Sequence, residues 1–224
     1  MTSHAARGDE PAALPAPPIV VPDPRPRPVV DFPSAMLFLG GAATGLALHE
    51  TGHVVMNLAY GNVPGLGAVS YGRAIPWFYI DARLTLRDGV YYKRDGSVFR
   101  GGARVYYYIN MAGFLVQNIG ADIILASHPR LRYEHAPFEE GVFWMDVGLS
   151  IGYAAASFAG IEDPHGDISG GARHSQYPHQ FIASMVMTSG VLDMFCYLFP
   201  DNDMLLWLSR SAKVMFLGMG LPVD

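Results

Sequence analysis

Two histidines and a glutamate have the types and spacing of a metal-dependent catalytic centre. His49 and His53 are four residues apart, and Glu50 lies beside them. In a helix this spacing puts both imidazoles on one face, where they can bind the same metal ion. A neighbouring carboxylate can take a proton from a water on that ion. His49-Glu50-Thr51-Gly52-His53 is the H-E-x-x-H pattern of zinc hydrolases, so we predict Zn²⁺ on the histidines and Glu50 as the catalytic residue.

The surroundings of this motif are apolar. Between Asp31 and Arg73, Glu50 is the only formally charged residue, and the stretch from Ser34 to Tyr60 is long enough to cross a bilayer. The two histidines could instead pack between helices. Each polar group inside an apolar span costs about 2–3 kcal/mol, however, and a bound metal ion offsets that cost. The location therefore favours a metal site.

Two histidines leave the site incomplete, because catalytic zinc usually has three protein ligands and one position for water. The residues alone leave several candidates for the third ligand. They are the single acids of the other apolar segments and three histidines: Asp193, Asp146, Asp122, His165, His174 and His179. The polar stretch Asp163-Pro164-His165-Gly166-Asp167 could also bind a metal, but its composition favours a solvated turn.

The rest of the chain predicts a mainly α, polytopic membrane helix bundle of four or five spans. Further apolar segments cover 105–127, 141–161 and 179–199, and 204–221 is weaker because Arg210 and Lys213 interrupt it. Only 16% of residues are charged, against roughly 25% in soluble domains. Between spans one and two, Asp88-Gly89 and Asp95-Gly96 predict a small antiparallel β-hairpin insertion over about 74–100.

Composition limits the remaining choices. Nine of the 17 prolines fall in residues 1–33, which predicts a disordered Pro-rich tail before a membrane-embedded domain over 34–224. The single cysteine, Cys196, excludes an intrachain disulfide, and the net charge of −5 does not favour nucleic acid. Segment 61–104 holds seven of the 15 Lys and Arg residues, so we expect it to be cytoplasmic.

In the order of its features, the chain resembles the site-2 protease family of intramembrane zinc metalloproteases. In that family H-E-x-x-H is followed by a β unit, by a helix opening with Ala-Gly-Pro-x-x-Asn, and by a later Leu-Asp-Gly. Here the motif is followed by the predicted hairpins, by Ala112-Gly113-Phe114 with Gln117 and Asn118, and by Leu192-Asp193-Met194. Phe114 and Met194 depart from the family pattern, so the chain looks like a divergent relative.

The resemblance implies hydrolysis of a membrane-protein or peptide substrate by a multi-pass protein of a bacterial inner membrane. It assigns Asp193 as the third zinc ligand, and Gln117 or Asn118 to the oxyanion or the substrate strand. An exposed edge of the hairpin unit could accept the substrate as an added strand. The departures leave a second hypothesis, an inactive membrane protein with a structural metal site or a partner-binding role. A lipid-modifying metal enzyme ranks last, because it would need more histidines inside the spans.

Overall fold

A computed structural model describes the backbone of residues 31–71 and 75–218. Its helices are α1 (Phe32–Ala59), α2 (Gly102–Ser127), α3 (Pro137–Phe158), α4 (Asp167–Arg173), α5 (His179–Leu198) and α6 (Asp203–Gly218). A short 3₁₀ helix covers Leu131–Tyr133. The strands are β1 (Gly65–Tyr71), β2 (Ile75–Asp81), β3 (Thr85–Arg87) and β4 (Val90–Tyr92). The fold is thus mainly helical, with a small antiparallel unit between α1 and α2, as the sequence predicts.

Helix α1 begins where the apolar stretch begins. The Asp31 carboxylate accepts a hydrogen bond from the Ser34 amide at 2.8 Å and so caps the helix, and Pro33 fits its first turn. Its 28 residues extend over about 42 Å, enough to cross a bilayer. The predicted Pro-rich tail falls almost entirely on residues 1–30, outside the described part of the chain.

Three helices of the described chain, α1, α2 and α5, are long and apolar enough to cross a membrane. Their outer faces carry large apolar side chains that are mostly exposed in the described part of the chain, including Leu39 and Val55 on α1 and Ile119 and Ile123 on α2. Such a surface suits lipid better than water, so the chain is membrane-associated. The predicted segments 141–161 and 204–221 do form helices, α3 and α6, and whether they also span stays a prediction.

Glycines bring α1 and α3 together. A Cβ at Gly41 would overlap the Phe138 carbonyl of α3, and a Cβ at Gly141 would overlap the Phe38 carbonyl of α1. Small residues at such positions let membrane helices approach closely. Helix α3 also packs on α5, and α2 packs on both α1 and α3. The His49 ring on α1 contacts Phe114 of α2 and Tyr153 of α3, so the motif lies where these three helices meet.

The β unit consists of two hairpins. Strands β1 and β2 pair antiparallel with Gly65 opposite Asp81, and β3 and β4 pair with Thr85 opposite Tyr92. Asp88 and Gly89 both have positive φ, 49° and 77°, as a two-residue hairpin turn requires. The predicted range of 74–100 was wrong at its start, because β1 begins at Gly65. The glycines and alanine of β1 have low strand propensity, so its pairing with β2 determines its conformation.

Candidate metal centre

Helix α1 presents His49 and His53 on one face, as their spacing predicts. Their Nε2 atoms lie 3.3 Å apart, and the carboxylate Oδ2 of Asp167 lies 2.9 Å from Nε2 of His49 and 3.4 Å from Nε2 of His53. Ligand atoms about 2.0–2.1 Å from a tetrahedral zinc ion are about 3.3 Å from each other. The two nitrogens and the carboxylate oxygen form a triangle of that size, so they could hold one metal ion.

Helix α2 fixes the orientation of both imidazoles. Nδ1 of His49 hydrogen-bonds to Oε1 of Gln117 at 3.0 Å, and Nδ1 of His53 hydrogen-bonds to the Ile109 carbonyl at 2.8 Å. Both partners can accept a hydrogen bond, so in a metal-bound form each Nδ1 would carry the proton and each Nε2 would offer its lone pair to the ion. Metal-binding histidines are commonly held in this way by an acceptor on the other ring nitrogen.

Close packing of α1 on α2 makes this arrangement possible. A Cβ at Gly113 would overlap the His49 ring, and a Cβ at Gly52 would overlap the Ala112 carbonyl. The His49 ring also meets Phe114 edge-on at 5.4 Å and stacks on Tyr153 of α3 at 6.1 Å, measured between ring centroids. Glycine at position 113 thus leaves the space that the His49 imidazole occupies, and Phe114 packs against the same ring.

The third candidate ligand, Asp167, is the first residue of α4. The next residue, Ile168, is fully buried in the core between α2 and α5 and so anchors the helix. On the same helix, a Cβ at Gly170 would overlap the Asn110 amide of α2. The Glu162 carboxylate accepts a hydrogen bond from the Ser169 amide at 3.0 Å, which connects the preceding loop to the first turn of α4. Helix α4 is thereby held against α2, with Asp167 facing α1.

The surroundings of Asp167 favour its ionised form. Burial alone would raise the pKa of its carboxyl, but a charge on His53 and hydrogen bonds with His49 and His53 outweigh burial and lower the pKa. A carboxylate must be deprotonated to bind a metal ion, so this environment suits a metal ligand.

The structure does not bring Asp193, which the family resemblance assigns as the third ligand, to the histidines, and Asp167 lies there instead. Asp193 lies on α5, where its Oδ1 accepts hydrogen bonds from Ser209 at 2.6 Å and from Lys213 at 2.8 Å, both on α6. Asp122 pairs with the same Lys213 ammonium at 2.7 Å. Asp122 on α2 and Asp193 on α5 therefore hold α6 to the bundle. Asp146 lies between α1 and α2, with its Oδ1 near Gly45, and it is not among the grouped ligand atoms.

The candidate histidines also lie outside the group of ligand atoms. His174 accepts a hydrogen bond from the Tyr91 hydroxyl at 2.7 Å, and His179 pairs with Glu162 at 2.9 Å. His165 is exposed and stands edge-on to Tyr79. The interpretation of 163–167 as a solvated turn was wrong at one end, because Asp167 starts a helix there.

Glu50 lies next to the histidines and is buried, with 8% of its surface exposed. Its Oε2 accepts a hydrogen bond from the Ile80 amide of β2 at 3.2 Å. That amide therefore points away from β1 and towards α1. The outer edge of β2 thus faces the carboxylate that adjoins the metal ligands.

Gln117 and Asn118 differ in their surroundings, although both are buried. Gln117 contacts the His49 imidazole directly. Asn118 is turned about 100° around α2 from Gln117, and none of its hydrogen bonds among the described residues involves the ligand group. Gln117 therefore positions a metal ligand, and its predicted oxyanion role and that of Asn118 stay predictions.

A polar cavity of about 510 Å³ leads to the ligands from the side of the β unit. Its walls include His53 and Asp167, β2 from Tyr79 to Asp81, and Tyr106 and Asn110 of α2. Two arginines, Arg83 and Arg173, also line it. The cavity connects the candidate metal ligands to the β unit.

The site thus consists of three ligand groups that could hold a metal ion, an adjacent carboxylate and a polar access cavity. Sequence patterns alone found the two histidines and Glu50 but not Asp167. The one signal for Asp167 was its place in a short polar stretch with a second acid and a histidine. Comparison of the chain with protein-family models, with curated proteins and with solved structures gave no match.

Proposed function

We propose that the protein is a zinc-dependent endopeptidase that cleaves peptide bonds of a membrane-protein or peptide substrate at the membrane. The observation that carries this proposal is the convergence of two imidazoles and a carboxylate beside the buried Glu50, at the end of a polar cavity. Two histidines and one carboxylate are a common ligand set of zinc hydrolases, and they leave one position for water.

His49, His53 and Asp167 would hold the ion through Nε2, Nε2 and Oδ2. When bound, zinc lowers the pKa of a coordinated water towards neutrality and polarises a carbonyl group. Softer or larger metal ions prefer other ligands, such as thiolates or sets of six or more oxygens. This donor set fits zinc as well as non-haem iron(II), and the neighbouring Glu50, which can take a proton from a metal-bound water, favours the hydrolytic zinc ion.

Glu50 is the proposed general base. Its carboxylate would accept a proton from the attacking water and donate that proton to the amine nitrogen as the peptide bond breaks. Burial beside His49 and His53 holds it next to the place where water and substrate meet. The Ile80 amide now donates a hydrogen bond to Glu50. When Glu50 turns to the water, this amide would become free to bond to the substrate.

The edge of β2 is the proposed support for the substrate. A peptide bond inside a helix has its amide and carbonyl in helical hydrogen bonds, so cleavage requires an extended segment. An extended segment lying along β2 would pair with its outward-facing backbone groups. Because Tyr79, Ile80 and Asp81 line the cavity, a strand in that position would reach the metal ligands.

Substitution of Glu50 tests the mechanism. We expect Glu50→Gln to retain zinc, because Glu50 is not a ligand, and to lose about 10²–10⁴-fold in the rate of cleavage. The assay is cleavage of a membrane-protein substrate by purified protein in lipid, with metal content measured on the same samples. Unchanged cleavage by Glu50→Gln contradicts the mechanism. Bound zinc in the wild type without cleavage of any membrane substrate would favour a structural metal site.

A further inference from the structure

A second cleft lies on the same side of the bundle as the hairpins but apart from the metal centre. It has a volume of about 620 Å³ and is formed where α1 ends and α2 begins. Its lining residues are Tyr60, Lys93, Val98, Arg100, Gly101, Arg104, Val105 and Tyr108. None of them lines the polar cavity that leads to His53 and Asp167. We call it the basic cleft.

The charge of the basic cleft is entirely positive. Lys93, Arg100 and Arg104 contribute cations, and no acid is among the lining residues. Within residues 31–71 and 75–218, none of the three cations forms an ion pair. The nearby Asp95 accepts hydrogen bonds from Ser97, and Lys93 donates to the Gly61 carbonyl at 2.6 Å. Arg100 and Arg104 are exposed, and no acid of the described part of the chain pairs with either of them.

The first turn of α2 adds to this positive field. Gly101 is the N-cap of the helix, and because it has no side chain it caps none of the first-turn amides. Gly101, Arg104 and Val105 all line the cleft, so this uncapped turn forms part of its wall. Amides at a helix N-terminus bind phosphate groups, and the helix dipole favours an anion there.

The location of the cleft indicates where its anion comes from. Both α1 and α2 are long and apolar enough to cross a membrane, and the chain between them keeps the end of one beside the start of the other. The cleft therefore lies at a membrane–water interface. Tyr60 and Tyr108 are amphipathic aromatic residues of the kind that lie at headgroup level, and Val98 and Val105 provide apolar wall.

We propose that the basic cleft binds the phosphodiester headgroup of an anionic phospholipid. Arg100 and Arg104 contact the phosphate, and the tyrosines and valines pack against the glycerol and the upper acyl chains. Basic pockets beside membrane helices on the cytoplasmic side bind anionic headgroups in this way. A mixed basic and apolar wall suits a lipid, which carries both features in one molecule, better than free phosphate.

Competition between lipids on the purified full chain tests this proposal. Phosphatidylglycerol is titrated into protein in mixed phosphatidylcholine and detergent micelles, and native mass spectrometry records the bound lipid. We expect the wild type to prefer phosphatidylglycerol, and Arg100→Gln with Arg104→Gln to lose about tenfold or more in affinity. Arg100→Lys with Arg104→Lys keeps the charge and should retain most of the binding, provided both double variants elute as the folded wild type does.

The matched control is Arg87→Gln with Arg94→Gln, which removes the same charge from exposed positions of the same segment outside the cleft. It should bind phosphatidylglycerol as the wild type does. Equal losses in the two Gln variants would show nonspecific attraction and overturn the proposal. Absence of a preference over phosphatidylcholine would also overturn it, as would binding of inorganic phosphate as tight as that of the lipid.

Discussion

Nδ1 of His49 on α1 donates a hydrogen bond to Oε1 of Gln117 on α2 over 3.0 Å. This bond joins two helices that are each long enough to span a membrane, and it fixes which nitrogen of His49 faces Asp167. The metal centre therefore depends on the register of α2 against α1, and residues that touch no metal ion should control its affinity.

Substitution of Gln117 should weaken metal binding although Gln117 is not a ligand. Gln117→Ala removes the acceptor that holds the His49 imidazole, and loss of such a partner typically costs 10–100-fold in metal affinity. Zinc affinity is measured by competition with a chromophoric chelator. The control is Asn118→Ala on the same helix, which should leave the affinity near the wild-type value. Equal losses in both variants would contradict the positioning role of Gln117.

Substitution of Gly113 should disturb the His49 ring directly. The Cβ of Gly113→Ala would overlap the imidazole, so the helices must separate or His49 must turn. We expect a loss of about 1–3 kcal/mol in stability and a clear drop in zinc affinity. Gly40→Ala is the control on α1, because open space surrounds that position. If Gly113→Ala keeps wild-type zinc affinity, the described approach of α2 to His49 is wrong.

Removal of Lys213 should destabilise the bundle without emptying the metal centre. Lys213→Met leaves the buried Asp193 without its cation, and breaking a buried pair in this way costs about 3–5 kcal/mol. Unfolding by heat or denaturant in detergent measures the loss. Arg210→Met removes an exposed cation from the same helix and should cost little. A similar cost in the two variants would contradict the buried position of Lys213, and loss of zinc from folded Lys213→Met would link Asp193 to the metal.

Acid should destabilise the contact between the hairpins and α4 through His174. Burial and the neighbouring charge of Arg173 lower the pKa of His174 from its usual 6.5 to about 4. Between these two pH values the unfolded chain binds a proton that the folded chain does not, so stability falls as pH falls through this window. The neutral His174 ring accepts a hydrogen bond from the Tyr91 hydroxyl. In His174→Gln the amide oxygen can take the place of the ring as the acceptor.

The unfolding temperature of the wild type should therefore drop more steeply from pH 7 to pH 5 than that of His174→Gln. The difference between the two proteins isolates His174 from the other groups that titrate in this range. Parallel curves for the two proteins would show that His174 is protonated in the folded state.

Local patterns predicted the parts of this protein that depend on local chemistry. The i, i+4 spacing of His49 and His53 needs only a helix, and Asp88-Gly89 needs only a tight turn, so both could be predicted from the sequence. The apolar stretches predicted the helices, since 105–127 and 179–199 lie almost within α2 and α5.

The third ligand could not be predicted in that way, because it depends on how distant helices pack. Asp193 has the apolar neighbours expected of a buried ligand, but Lys213 from a weaker apolar segment lies beside it. Asp167 lies in a polar, glycine-rich stretch that resembles a loop. Ile168 and Gly170 pack against other helices, and this packing places Asp167 at the histidines. No short sequence motif predicts such packing.

The zinc content of two matched variants tests the central claim most directly. Asp167→Asn and Asp193→Asn each replace a carboxyl group that is at most 16% exposed and keep the size of the side chain. Elemental analysis of the folded, purified proteins should find zinc in the wild type and in Asp193→Asn and little in Asp167→Asn. Zinc retained by Asp167→Asn and lost from Asp193→Asn would contradict a centre built from His49, His53 and Asp167.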